Sequence, residues 1–197
     1  MGAINDEDRQ RNLYSRIWSS DPAYGTSPID VENTIVNRVA PHVRRCYLAP
    51  NRVRIADFGA GDGRFLTALD RTRLMSHGWG IDVVQPAIVP EHITWVTVPM
   101  WEADVHVDYT LSTDALEHLP PDRVAESLER IRNSAPHGFL RISLIEDKYG
   151  TARGLHLHES LFSSEAWLWK LRMADIQPSS YQLYFDGLTE AALEVYF

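Results

Sequence analysis

Short apolar runs alternate with helix-spaced apolar stripes along most of the chain. RVRIADF (52–58) reads as a buried strand, and RFLTALDRT (64–72) as the helix after it, with Phe65, Ala68 and Leu69 at helical spacing. GWGIDVV (78–84), ITWVTV (93–98), VDYTLST (107–113) and GFLRISLI (138–145) read as further strands. The clearest helix is PDRVAESLERIRNSA (121–135), whose Val124, Leu128, Ile131 and Ala135 form one stripe behind a Pro-Asp start. A serine cap opens another helix at 163–176. There Trp167 and Trp169 are two apart and cannot share a face, so one belongs to the core and the other to a cleft or an interface. SYQLYF and ALEVYF flank DGLTE and read as a closing antiparallel pair.

Strands alternating with helices predict a mostly parallel sheet covered on both faces. In such sheets ligands bind beyond the carboxyl ends of the strands. Here those ends fall near residues 58, 83, 99 and 113, where the glycine-rich and polar stretches lie. Ahead of the first strand, Asp30 to about Val39 reads as helical, and residues 1 to about 10 as a frayed end. The stretch between them, with Tyr14, Trp18 and Tyr24, reads as an aromatic loop, either a plug for the core or a lid over a site. The expected organisation is an N-terminal segment and aromatic lid (1–29) followed by one ligand-binding domain (30–197).

Composition narrows the function classes. A chain of 197 residues suits one domain with a sizeable core. The net charge of −8 argues against a broad nucleic-acid surface. Arg38, Arg44, Arg45, Arg52 and Arg54 are the nearest approach to a basic patch, and they read as a solvated face. Cys46 is the only cysteine, so no disulfide forms within the chain, and it reads as a core residue in a reducing compartment. The polar N-terminus resembles no signal peptide, and no run is long enough to cross a membrane. The expectation is a cytoplasmic monomer or homodimer without a membrane partner.

The candidate chemistry begins at IADFGAGDGRF (55–65). Its glycines let backbone approach a ligand, and a helix N-terminus follows. A dinucleotide loop needs a third glycine at position 64, where this chain has Arg64. Asp57 and Asp62 would also repel a pyrophosphate. Acids there suit a ligand with positive charge and no phosphate, such as S-adenosylmethionine with its sulfonium and ammonium. Asp82, about 20 residues on at a strand end, is placed to accept hydrogen bonds from ribose hydroxyls.

These motifs resemble those of the class I S-adenosylmethionine-dependent methyltransferases, from about residue 30 onward, and in particular the small-molecule O-methyltransferase branch. IADFGAGDGRF looks like the family's first motif, led by Asp57, with Gly59, Ala60, Gly61 and Gly63 around the cofactor. GIDVV looks like the second, with Asp82 and Val83. VPMWEAD stands at the third, where Trp101 and Glu102 would flank the adenine, and VDYTLSTDALEHLPPDRV is similar to the fourth, with Thr113 beside the cofactor. Tyr24 resembles a lid residue. HLHESLFSS (156–164) has a counterpart before the last helix. The resemblance implies a Rossmann-like, doubly wound, seven-stranded sheet with the last strand antiparallel and helices on both faces. It also implies methyl transfer to a small-molecule hydroxyl or amine.

In-line methyl transfer rests on alignment, and a base matters when the acceptor loses a proton. Asp114, Glu117 and His118 follow the fourth strand at spacings that share a helix face, and His156, His158 and Glu159 lie across the fifth. His118, His158 and Asp114 are the catalytic candidates. Three readings order themselves: residues that brace the cleft, then a histidine base, then a divalent metal. In the last, Asp114, Glu117, His118 and a later histidine would bind the ion, and the cluster looks somewhat like the E-x-x-E-H motif and later His of methyltransferases acting on the 3′ end of small RNAs, with Asp114 in place of the first Glu. No metal ligand is assigned on sequence alone. A metal-assisted RNA 2′-O-methyltransferase and a non-catalytic S-adenosylmethionine-binding protein remain the alternatives.

Overall fold

The structure is a computed structural model and describes residues 6–20, 24, 28–47 and 53–197. Seven strands form one sheet in the order β3-β2-β1-β4-β5-β7-β6. These are β1 (Val53–Phe58), β2 (Met75–Asp82), β3 (Ile93–Thr97), β4 (Tyr109–Thr113), β5 (His137–Ser143), β6 (Ser180–Asp186) and β7 (Thr189–Tyr196). The first five run parallel to one another. β7 runs antiparallel between β5 and β6, so the closing pair anticipated in the sequence inserts its second strand next to the parallel sheet.

Burial explains the central strands. All five residues of β4 and five of six in β1 are buried, as a strand covered on both faces requires. One face carries α2 (Pro28–Thr34), α3 (Ala40–Cys46) and α4 (Arg64–Arg71), and its core joins Val31, Ile35, Val39, Ile55, Leu66 and Tyr109. The other carries α5 (Val124–Ser134) and α7 (Ser164–Met173), around Phe58, Leu116, Leu128, Leu140 and Trp167. α7 opens as its sequence suggests, with the Ser163 hydroxyl accepting the Ala166 N–H. The short α6 (Lys148–Thr151) follows β5.

Some boundaries move. β2 runs from 75 to 82 instead of 78 to 84, because Met75 is fully buried and seeds the pairing with β1. The helix before β1 is split: α2 passes into a π-helical turn, Ile35–Val39, before α3. The largest correction is N-terminal. Residues 6–20, expected as a frayed end and a loop, form helix α1 (Asp6–Ser20). Its contact face is Gln10, Tyr14 and Ile17, spaced i, i+4, i+7, and a face with only one aliphatic residue gives little periodic signal. Residues 1–5 of the expected frayed end lie outside the described residues, as does the Trp18 side chain. Among the described residues no helix is long and apolar enough to cross a membrane.

Candidate active site

The order in which successive strands join the sheet reverses between the parallel neighbours β1 and β4, and a cavity of about 900 Å³ opens there beyond the strand ends. Its first wall is the glycine loop. Gly59 and Ala60 both donate backbone N–H groups to the Ile81 carbonyl, at 2.8 and 3.1 Å. Gly59 holds φ +79°, and a Cβ there would stand 2.3 Å from that of Ala115, so the position excludes any side chain. Gly61 donates its N–H to Asp82 Oδ2 at 2.9 Å, and Val84 donates to Asp82 Oδ1 at 3.0 Å. Loop and strand end are therefore one unit.

Charge in this wall differs from what the bare sequence suggests. Asp57 is buried beneath the loop, off the cavity wall, and burial pushes its carboxyl up to about 7, with Asp82 and Asp62 adding to the shift. Its Oδ1 has no hydrogen-bond partner among the described residues. Asp62 is paired with the Arg64 guanidinium, Nη2 to Oδ2 at 2.5 Å. The arginine that replaces a dinucleotide glycine thus neutralises the loop's own acid. Asp82 is pushed up to about 6 by burial, held back by the N–H groups of Val84, Gly61 and Val83.

Other cofactor candidates divide. Gly59, Ala60, Gly61, Asp82, Val83, Thr113 and Tyr24 line the cavity; Gly63 does not. Trp101 and Glu102 are also absent from the wall. The 3-10 turn Met100–Glu102 turns Trp101 into the core, with Arg123 over its ring at 5.5 Å, and leaves Glu102 exposed. Met100 takes the wall position instead. Which of three adjacent residues faces the cavity is set by the turn, and no sequence signal distinguishes them.

The opposite wall is built from two backbone segments. After β4, Asp114 takes a left-handed φ of +50° and the 3-10 turn Leu116–His118 follows. The stretch at 157–160 lies against this turn: Ser160 donates its N–H to the Glu117 carbonyl at 2.9 Å and its hydroxyl to the Leu119 carbonyl at 2.7 Å. His118 and His158 thereby meet, ring centroids 4.5 Å apart at 82°. His118 Nδ1 lies 2.9 Å from the Leu157 carbonyl and His158 Nδ1 2.6 Å from that of Ile145. A carbonyl only accepts, so in the neutral form of each ring Nδ1 carries the proton and Nε2 keeps the lone pair. Burial, then the neighbouring His158, lowers His118 to about 4, so it is neutral near pH 7. Glu117 is fully buried; its Oε1 accepts the Ser143 N–H at 3.0 Å and its Oε2 has no partner among the described residues. Burial raises its carboxyl well above the usual range, Asp114 adding to the shift.

Other candidates from the sequence turn elsewhere. Asp114 lines the cavity but pairs with Arg141 at 3.4 Å. His156 is exposed, and Glu159 receives Arg9 of α1 through two bonds of 2.8 and 2.9 Å. Trp167 is core and Trp169 stands 59% exposed, away from the cavity wall.

α1 covers this side. Gln10 donates to the His118 carbonyl at 3.1 Å, and the Tyr14 ring meets His118 edge-on at 5.7 Å. Tyr24 stacks at a tilt on Tyr149 at 4.7 Å and bonds to Asp147. Burial raises both tyrosine hydroxyls, Tyr14 and Tyr24, which stay neutral. Gln10, Met100, Arg141, Asp147 and Tyr149 are wall residues that the sequence did not single out.

No protein-family model matches the chain, and no curated protein does. Solved structures share the fold. A Burkholderia thailandensis 1,6-didemethyltoxoflavin-N1-methyltransferase, solved with 1,6-didemethyltoxoflavin and S-adenosylhomocysteine, superposes with TM-score 0.67 and 21% identity, over 100% of this chain and 91% of that one. Magnesium protoporphyrin IX methyltransferase from Synechocystis, with S-adenosylmethionine bound, gives 0.62 and 15%, over 100% and 99%. Human N-acetylserotonin methyltransferase, also with S-adenosylmethionine, gives 0.54 and 13%, over 93% and 58%. The fold is that of S-adenosylmethionine-dependent methyltransferases.

Proposed function

We propose that this protein transfers a methyl group from S-adenosylmethionine to a small-molecule acceptor. The observation that carries the reading is a single cavity, at the switch point of the sheet, with the Gly59–Gly61 loop tied to Asp82 on one wall and two histidines with free Nε2 lone pairs on the other. The residues fit the cofactor. Gly59 admits no side chain, so backbone forms the cradle. The Asp82 oxygens accept the N–H groups of Gly61 and Val84 and keep lone-pair capacity for a ribose hydroxyl. Bound there, S-adenosylmethionine supplies an electrophilic methyl on a sulfonium.

The chain's part is alignment and proton acceptance. Tyr14, Tyr24 and Tyr149 line the cavity and offer aromatic surface to an acceptor. For a hydroxyl acceptor, the proton passes to Nε2 of His118 or His158, while the Nδ1–H bond to a backbone carbonyl steadies the cation formed. The neighbours named above are methyltransferases of small molecules, which supports the same class here. Cys46, half-buried 3.6 Å from His42 Nε2, suits the reducing cytoplasm.

The test is a thermal shift with S-adenosylhomocysteine, S-adenosylmethionine and NAD in parallel. Stabilisation by the first two and not by NAD is expected. Stabilisation by NAD alone would overturn the reading, and so would cofactor binding without methyl transfer to any of a panel of hydroxyl and amine acceptors.

A further inference from the structure

The acceptor side of the cavity holds a donor set that proton acceptance does not exhaust. A carboxylate oxygen of Glu117 and one ring nitrogen each of His118 and His158 all lie within 4.8 Å of one another. Each comes from a rigid, hydrogen-bonded piece of backbone: the turn after β4 for the first two, the stretch before α7 for the third.

Two features separate this cluster from a chance meeting of polar groups. The first is the unsatisfied oxygen. Glu117 is fully buried, Oε1 is held by the Ser143 N–H, and Oε2 has no partner among the described residues. A buried carboxylate oxygen left without a partner costs free energy that the fold recovers only when a cation or proton meets it. The second is the orientation of the imidazoles. Both donate Nδ1–H to a backbone carbonyl, at 2.9 and 2.6 Å, which fixes the tautomer with Nε2 free. A histidine that ligates a metal through one ring nitrogen commonly donates the other N–H to a carbonyl or carboxylate, which fixes the ring's orientation.

We propose that Glu117, His118 and His158 bind one divalent first-row transition-metal ion on the acceptor side of the cavity. Two imidazoles and one carboxylate suit Zn²⁺, Fe²⁺, Co²⁺ or Mn²⁺, whereas Mg²⁺ and Ca²⁺ call for oxygen ligands. Bonds of about 2.1 Å put ligand atoms at most about 4.2 Å apart across an ion. The 4.8 Å limit here contracts by roughly half an ångström, within the reach of side-chain torsions. Asp147 stands beside the set, its Oδ2 4.0 Å from His158 Nε2. The remaining coordination positions open into the cavity, where a hydroxyl or carboxylate of the acceptor would reach them. In the loaded protein the two imidazoles are ligands and no longer free bases; methyl transfer stands in either case.

The experiment uses tag-free, full-length protein stripped with chelator, titrated with Co²⁺ in a non-coordinating buffer and followed by visible absorption. Saturation at one equivalent, with displacement by Zn²⁺, is expected. Glu117→Gln and His158→Ala should each weaken Co²⁺ binding at least tenfold, His158→Gln serving if the alanine variant does not fold. S-adenosylhomocysteine affinity is measured on the same samples; it should stay within about threefold and so reports an intact fold. Absence of saturable binding by the unaltered protein, or undiminished binding in the variants, overturns the site. Loss of S-adenosylhomocysteine binding by the unaltered protein would instead count against the methyltransferase reading, so the two failures are distinguishable.

Discussion

Gly61 donates its backbone N–H to Asp82 Oδ2 at 2.9 Å, which makes the acid at the end of β2 a structural tie for the loop at the end of β1. The same carboxylate is the proposed ribose acceptor. Asp82→Ala removes both roles, so its effect on affinity alone does not isolate the ribose contact. Asp82→Asn keeps one oxygen for the loop and loses the charge. S-adenosylhomocysteine affinity, by calorimetry, is expected to fall about 10- to 100-fold in Asp82→Asn, the value of one charge-assisted hydrogen bond. Unchanged affinity would show that ribose lies elsewhere.

Gly59 carries a second tie. With φ +79° and a virtual Cβ 2.3 Å from Ala115 Cβ, Gly59→Ala is strained and overpacked. A loss of about 2–3 kcal/mol is expected, a thermal midpoint lower by roughly 5–10 °C. Adding Ala115→Gly should restore the packing part and leave the backbone part. Full recovery in the double variant would mean that the left-handed angle costs nothing.

The buried acid under the loop makes stability depend on pH. The folded value for Asp57 is about 7, above the roughly 3.9 of an unfolded aspartate. The folded state therefore keeps a proton that the unfolded chain releases. That contribution is complete below about pH 4 and is lost as pH rises to 7. His118, lowered to about 4, acts in the opposite sense: its contribution is present above about pH 6.5 and is lost as pH falls through 4. Asp57→Asn isolates the first term. Its unfolding free energy should gain on that of the unaltered protein by on the order of 2 kcal/mol between pH 5 and 7, at about 1.4 kcal/mol per pH unit, read by denaturant titration at each pH. A difference independent of pH would show that Asp57 is ionised when buried.

The histidine pair is read by kinetics. In the metal-free protein, His118→Ala and His158→Ala should each lower turnover by about 10²–10⁴-fold, the range of a lost general base, with S-adenosylhomocysteine affinity nearly unchanged. Normal turnover in both would leave the pair with only a bracing role.

α1 offers a separable effect. Tyr14 meets His118 edge-on at 5.7 Å and lines the cavity. Tyr14→Ala is expected to raise the acceptor KM several-fold, as a stacking surface worth about 1 kcal/mol is lost, and to leave a melt within a few degrees. A change confined to stability would make α1 a strap and nothing more.

The sequence by itself determined the parallel sheet, the glycine loop and the acid at residue 82, because buried runs, glycines and strand-end acids are local signals that survive without neighbours. It named His118 and His158 on either side of the fifth strand, as groups able to converge on one cleft. Only the tertiary structure brought them together, through the bonds of Ser160 to Glu117 and Leu119, across about 40 residues that no local pattern spans. It also decided that Trp101 is core, that α1 is a helix whose contact face is Gln10, Tyr14 and Ile17, and that Arg64 neutralises Asp62. In IADFGAGDGRF the glycines were legible as shape. The charge was not, because the ionisation of an acid depends on what stands next to it in space: here burial for Asp57 and a guanidinium for Asp62.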